Sequence, residues 1–545
     1  MSNPVPAPYV GSTWESDPVF ARILAARVPA ASWEWVKGRA ARFGEIAAQV
    51  APLAAVADRC GPRLLTHDAR GERVDQIEYH PAYREMERLA YGNGIIADKY
   101  DPELRKLHPR ALHLAGFAMG YEFGQGECGL FCPICMTDGA ARVIEKFGKP
   151  DLVDFAVPRL TSRDPERVWQ GAMFLTEKQG GSDVGATETR AVQEMDGTWR
   201  LHGDKWFCSK VDADVILALG RPEGAREGTR GLGLWLVPKH PPEGGGNLIR
   251  IHRIKDKLGV RSMPTGEVTL SGALGFLLGG PGEGFKQMTA MLNHSRLYNS
   301  VAATAVIRRA LVEAIVYGRG RKAFGRRLVD HPLHRRVLAE VVARHLGALT
   351  MVFEAVRALD EADAGVAGAA QLERLLTPLC KAFTGKLAVE CVSECMEAIG
   401  GNAYIEESPL PRLLRDAQVL PIWEGTTNVI SLDLLRVLDG GASVEAWHSR
   451  VARALDLGRG KAASASIDAA ARAIDSVGAS LAAAKGAPRE ALERGARALL
   501  WELARATQAA LALEDEATAP AVPALLGREL SPADEARLLD EAVRA

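Results

Sequence analysis

The chain has 545 residues, 47% apolar and 25% charged, with a net charge of -1. Its length accommodates three or four domains, and its near-zero charge excludes a global field that would draw it to nucleic acid or a membrane surface. No uninterrupted apolar run reaches membrane-spanning length, and Met1 to Pro6 has neither the basic nor the apolar region of a signal peptide, so a cytoplasmic protein is expected.

In chain order, residues 1–170 read as helical. Apolar residues recur at three- and four-residue spacing in Ala21 to Ala31, Trp33 to Leu53 and Pro81 to Ala90. Ala111 to Gly129 is dense in Ala, Gly and aromatic residues, and Thr137 to Phe147 forms a short helix. The proline-rich start, through about Asp17, reads as an arm outside the core. From 171 the texture becomes β. Thr189 to Glu194 and Trp199 to His202 alternate around the turn pair Asp196-Gly197. Strand-length runs follow at Val215 to Leu219, Leu232 to Val237, Leu248 to Ile254 and Glu267 to Leu270, predicting a compact β domain over 171–284. Helix returns in 285–440, at Ala302 to Tyr317, Leu333 to Ala362, Ala369 to Met396 and Leu432 to Leu438. In the second of these, Leu338, Val342, His345, Leu349, Val352 and Val356 share one face, as bundle helices require. Residues 441–545 form an Ala-rich helical extension with 13 Lys/Arg against 15 Asp/Glu. The fold class is therefore α+β, mostly α: helical, β-barrel-like, helical bundle, helical extension.

Several stretches carry chemistry. Trp423-Glu424-Gly425-Thr426-Thr427-Asn428 sets one carboxylate beside an indole. Lost hydration would raise its pKa and suit it to proton abstraction. Read locally, it is also a loop acid before a helix capped by Thr426 or Thr427, with Leu432, Leu434 and Leu435 as the buried face. Thr176-Glu177-Lys178-Gln179-Gly180-Gly181-Ser182 offers hydroxyls and backbone N–H groups to a ligand, or simply a tight turn. Lys205-Trp206-Phe207-Cys208-Ser209 is a polar-aromatic strand. Arg319, Arg321, Lys322, Arg326 and Arg327 surround Phe324-Gly325, a knot that suits a pyrophosphate or a helix C-terminus. Glu397 to Asn402 ends a helix on paired glycines. The eight cysteines are scattered. Cys128, Cys132 and Cys135 lack a fourth ligand nearby and read as buried or pocket-lining thiols, so no metal is expected.

Taken together, Leu175-Thr176-Glu177 with Gly181-Ser182-Asp183-Val184, Arg321-Lys322 before Phe324-Gly325, Gly400-Gly401-Asn402 before Glu406, and Trp423-Glu424-Gly425-Thr426 before Asn428 resemble the acyl-CoA dehydrogenase superfamily over about 110–440. Lys255 to Gly259 and Gly282 to Phe285 look like further landmarks. Cys132 to Thr137, Lys205 to Ser209, Lys255 to Gly259 and the C-terminal extension are most similar to the AidB branch, flavoproteins related to isovaleryl-CoA dehydrogenase and associated with DNA alkylation.

The resemblance implies FAD, a homotetramer and a short or branched acyl-CoA thioester. It also implies electron transfer to an electron-transferring flavoprotein or another acceptor. Glu424 matches the base that removes the α-proton while the β-hydride passes to flavin N5. Thr176 and Ser209 match hydroxyls bonding the flavin ring, Phe207 the aromatic against it, and Ser182 a polar group near FAD and the CoA moiety. Thr426 and Asn428 match FAD contacts after the base. Arg321, Phe324, Glu397, Gly400 and Gly401 match segments that reach FAD across a subunit interface. Arg296 matches an arginine near the substrate entrance, and Gly425 permits close approach of thioester and flavin. Some relatives carry the base just before that arginine, where this chain has Ser295, so Glu424 takes the role. Lys178-Gln179 and Phe207 depart from the common Pro-Gly and Trp and mark the branch. The alternative implied by the AidB likeness is a DNA-associated flavoprotein with residual activity. The net charge of -2 on the extension (13 minus 15) argues against phosphate binding there.

Overall fold

A computed structural model describes residues 5–544. Asp17 opens the first helix, α1 (Pro18–Ala25), by accepting the Phe20 N–H at 3.0 Å. The start of the chain is more than an arm: Thr13, Ser16 and Asp17 are buried. Asp17 also accepts from the Tyr121 hydroxyl at 2.8 Å and pairs with Arg308 at 3.0 Å. Polar partners, invisible to hydrophobic periodicity, hold this segment in place.

Helix α2 (Trp33–Arg59) leads into a hairpin of β1 (Arg63–His67) and β2 (Arg73–Glu78), a strand pair inside the region expected to be helical. Helices α3 (Pro81–Gly92), α4 (Pro102–Leu107), α5 (Leu112–Gly126), α6 (Phe131–Phe147) and α7 (Pro150–Leu160) follow. The β region comprises β3 (Gly171–Phe174), β4 (Arg190–Gln193), β5 (Trp199–Ser209), β6 (Val215–Pro222), β7 (Gly233–Pro238), β8 (Ile249–Ile254) and β9 (Thr265–Leu278). The β4–β5 hairpin turns through Gly197 at φ 85°, as its Asp-Gly pair foretells. Strand β6 pairs with both β4 and β7, so the ring β6–β4–β5–β9–β7 closes on itself and its edges largely disappear. Trp235, Phe174 and Leu201 fill its core.

Next come α8 (Gly284–Gly320), a hairpin of β10 (Lys322–Ala323) and β11 (Arg326–Arg327), α9 (Pro332–Asp363), α10 (Ala369–Ile399), α11 (Leu410–Ala417) and α12 (Thr427–Leu438). The expected face of α9 is buried throughout, from Leu338 to Val356. The extension forms α13 (Ala442–Gly458), α14 (Ser464–Ala484), α15 (Arg489–Ala512), α16 (Val522–Leu525) and α17 (Pro532–Ala542). Helices α12 and α13 pack on α10 and α15, while α17 packs on α9, so the extension joins the bundle's core.

The α+β, mostly helical class holds. The chain forms two compact units, each assembled from separate stretches: residues 1–51, 102–126 and 296–545, and residues 52–101 and 127–295. Among the described residues no helix is long and apolar enough to cross a membrane.

Candidate active site

The turn before α12 is built against two helices of its own unit. After α11 the Val419 carbonyl accepts from the N–H groups of Ile422 and Trp423, at 2.9 and 3.1 Å. Glu424 then adopts φ 58° and Gly425 φ 101°. A left-handed glutamate is unfavourable and needs surrounding structure to hold it. The φ of Gly425 strains any side chain, and a Cβ there would fall 2.9 Å from Ile430 Cδ1, so glycine suits the position.

From α8, Arg296 Nε donates to the Glu424 carbonyl at 3.3 Å and Asn299 Nδ2 to the Leu420 carbonyl at 3.2 Å. From α10, Lys381 Nζ donates to the Gly425 carbonyl. One helical turn on, Gly385 lets Leu420 come close, since a Cβ there would meet its carbonyl oxygen at 3.0 Å. Arg296 and Arg374 share the Asp433 carboxylate, at 2.9 and 2.8 Å. Lys381 is fully buried. Desolvation pulls it down to about 7, against the pull of the Glu424 carboxylate and with that of the Arg296 guanidinium. The groups that define Glu424's surroundings are thus cations as much as the neighbouring Trp423.

Thr426 is the N-cap of α12, and its side chain makes no capping bond. Its buried face is Ile430, Leu434 and Val437, with Leu432 turned outward, correcting the expected Leu432-Leu434-Leu435 face. Thr426 and Asn428 lie exposed at its N-terminus.

Four further sequence-chosen residues come together in the same unit. Arg321, Glu397, Gly400 and Gly401 line a cleft of about 390 Å³ with Tyr317, Leu328 and Asn402. Asn402 Nδ2 donates to the Tyr317 hydroxyl at 2.8 Å, tying the two sides. Nothing lies within 4 Å of a Cβ built on Gly400 or Gly401, so the bare backbone faces open space. Phe324 stands outside this lining, 96% exposed at the tip of the β10–β11 hairpin. Phe324 and Gly325 both have positive φ, 50° and 82°, the backbone of a two-residue hairpin turn that matches strand twist.

In the other unit, Thr176 and the end of β5 meet where the Trp206 N–H donates to the Thr176 carbonyl at 2.8 Å. Phe207 is 55% exposed there, and Ser209 follows it on the strand paired to Thr265. Lys255 Nζ lies 3.7 Å from the Trp206 ring centre and 4.7 Å from that of Phe207. Ser182 is exposed on the loop after Thr176. The buried Glu177 organises that loop by accepting from Lys205 Nζ and Thr189 Oγ1, both at 2.6 Å, and from the Glu188 N–H at 2.7 Å. Cys128 and Cys135 are buried and Cys132 half-buried.

Comparison with known proteins decides the family. Residues 3–166 match the adaptive response protein AidB N-terminal domain, 172–273 the acyl-CoA dehydrogenase middle domain and 282–438 the acyl-CoA dehydrogenase C-terminal domain. The chain is 39% identical over 452 residues to acyl-CoA dehydrogenase family member 11 of Caenorhabditis elegans, covering 80% of this chain and 72% of that one. It belongs to the acyl-CoA dehydrogenase family, in its AidB-like branch.

Putative acyl-CoA dehydrogenase AidB of Escherichia coli is 37% identical, covering 70% of each chain. The crystal structure of C. elegans ACDH-11 in complex with C11-CoA superposes with a TM-score of 0.90 at 34% identity, covering 99% of this chain and 92% of that one. The family-domain matches end at 438, yet that superposition includes α13 to α17, so the extension is shared with this family member.

Lys381 and Asp433 have no place among the residues chosen from sequence, and Glu177 and Lys205 appear there without the ion pair that joins them. A lone lysine between Cys380 and Ala382, in an otherwise apolar helix stretch, was the one available signal for Lys381.

Proposed function

We propose that the protein is an FAD-dependent acyl-CoA dehydrogenase in which Glu424 is the α-proton base, working as a cytoplasmic homotetramer with the domains 1–170, 171–284, 285–440 and 441–545. The observation that carries this reading is the Glu424-Gly425 turn, a left-handed acid fixed by Arg296 and Lys381. No surface loop acid needs such support.

The residues fit FAD. The cleft beside Arg321 leaves the Gly400-Gly401 backbone open, suiting the anionic part of a dinucleotide. The exposed face of Phe207, with the hydroxyls of Thr176 and Ser209 nearby, suits a planar heterocycle. Glu397, Phe324, Thr426 and Asn428 would complete the cofactor's contacts, Phe324 by reaching a second subunit. When bound, FAD supplies the two-electron acceptor for the β-hydride.

Glu424 takes the α-proton, and the C–H electron pair becomes the new Cα=Cβ bond as the β-hydride leaves. An α-proton is too weakly acidic for a carboxylate unless its carbonyl is polarised, which the Glu424 backbone N–H would do. Gly425 presents no side chain to the approaching thioester. Arg296 is assigned to the substrate entrance, and Ser182 to the CoA moiety. An electron-transferring flavoprotein or a comparable acceptor would reoxidise the cofactor.

An anaerobic panel of acyl-CoAs read by flavin absorbance tests this. Isovaleryl-CoA, short linear acyl-CoAs and C11-CoA, the last because ACDH-11 binds it, should include at least one that bleaches the flavin stoichiometrically. Full retention of the oxidised spectrum with all of them refutes the proposal.

A DNA-associated flavoprotein is the second reading, favoured by the AidB match at 3–166. On the extension, Arg494 pairs with Glu490 at 3.3 Å and Arg497 lies over the Trp501 ring at 5.3 Å. With 13 Lys/Arg against 15 Asp/Glu on the extension, no mobility shift of duplex DNA at low salt is expected. A shift abolished by replacing Arg494, Arg497 and Arg505 with Ala would favour the second reading.

A further inference from the structure

Lys381 is an unusual residue for its place. It lies on α10 with Cys380 and Ala382 as neighbours, fully buried, where an ammonium loses its hydration. A methionine or leucine would fill the same volume without that cost. Among the described residues its ammonium donates to the carbonyl of the residue after Glu424.

The geometry around that bond is specific. Two carbonyls in succession, those of Glu424 and Gly425, are each held by a cation, one from α8 and one from α10. The peptide between them joins two residues of positive φ. The two donors fix the carbonyl directions that place the glutamate side chain. Gly385, one turn further along α10, brings the start of the same turn against the helix, so α10 fixes both ends of the segment.

We infer that Lys381 is a positioning residue for the base, holding the Glu424-Gly425 turn in its left-handed form through the Gly425 carbonyl and presenting a cation to the Glu424 carboxylate. The inference rests on the reading of Glu424 as the base. A nearby cation favours the ionised carboxylate, the form that can accept a proton.

Protonation of Lys381 is set by the groups around it. Glu424 in the turn favours its charged form, while burial and Arg296 from α8 oppose it and bring it to about 7. Asp433 of α12, bound by both Arg296 and Arg374, offsets part of the guanidinium's charge. The lysine thus changes charge in the range where the enzyme would work, and an arginine in its place would not.

The test uses purified holoenzyme and anaerobic stopped-flow reduction of the flavin by isovaleryl-CoA or C11-CoA, whichever bleaches the wild type faster. Lys381→Met should keep its flavin and hold KM within about twofold, while the reduction rate at pH 7 falls on the order of tenfold to a hundredfold. Its ascending pH limb should move to higher pH, since the base has lost a cation that favoured ionisation. Lys381→Arg should recover most of the rate and flatten the profile above pH 7.

Wild-type rate and profile in Lys381→Met overturn the inference while leaving Glu424 as base, provided Glu424→Gln is inactive. A loss shared equally by flavin content, KM and rate, with no rescue by arginine, shows a merely structural lysine and also overturns it. An active Glu424→Gln removes the base assignment, and this inference with it.

Discussion

Glu424→Gln is expected to bind flavin normally and to lose flavin reduction by acyl-CoA, with the rate falling by about two to four orders of magnitude. Glutamine has nearly the same shape and keeps the backbone carbonyl that Arg296 holds, and Gly425 keeps its bond from Lys381. The turn is therefore expected to survive, and the melting temperature to change little. What disappears is the carboxylate assigned to take the α-proton. Alanine is the poorer probe, because it also leaves space in the turn and removes the carboxylate's steric role. Measured against wild type in single-turnover reduction, a Gln variant that reduces at the normal rate would remove Glu424 from the reaction.

Why Glu424 could be picked out from sequence, and Lys381 could not, follows from the scale of each signal. Trp423-Glu424-Gly425 is a local pattern, and the family likeness supplies its meaning. Lys381 acts across 44 residues of chain, on a carbonyl whose position depends on the packing of α8, α10 and α12. No spacing rule reaches that far. The same holds for Arg321 with Glu397, Gly400 and Gly401: a gap of 76 residues separates the first two, and the cleft they share exists only once the C-terminal ends of α8 and α10 meet.

The helical–β–helical order was legible because periodicities near 3.6 and 2 differ sharply. Closure of the barrel was not, since it depends on β6 pairing with both β4 and β7. The β1–β2 hairpin was missed for a different reason. Its strands are mostly exposed and carry charges outward, so they lack the apolar alternation that marks a strand. Helix α6 starts at Phe131, six residues before the expected Thr137, because Pro133 falls in its first turn, where a missing N–H costs nothing.

Breaking the Glu177–Lys205 pair is the second large effect. Lys205 is fully buried and donates to Glu177 at 2.6 Å and to the Leu219 carbonyl at 3.0 Å. Burial pushes the Glu177 carboxyl up, but Lys205 and the hydrogen bonds from Gln179 and Thr189 outweigh it and bring it to about 2. A carboxylate depressed in the folded state stabilises above its unfolded value of about 4.5. That contribution is lost as pH falls from about 4.5 to 2.

Lys205→Met reverses the logic, because the carboxylate stays buried without its cation. The expected cost is about 3–5 kcal/mol at pH 7, read as a fall in melting temperature. It should come with weaker flavin retention, since Glu177 anchors the loop that carries Ser182. Removing the orphaned charge as well, in Lys205→Met with Glu177→Gln, should restore much of the stability. Desolvation now raises the lone carboxyl above its unfolded value, so its penalty grows as pH rises and fades on acidification. The melting-temperature gap between wild type and Lys205→Met should therefore narrow from pH 7 to pH 4. A gap that stays constant across this range, with no recovery in the double variant, would mean that Lys205 supports the barrel through its packed hydrocarbon stem and not through its charge.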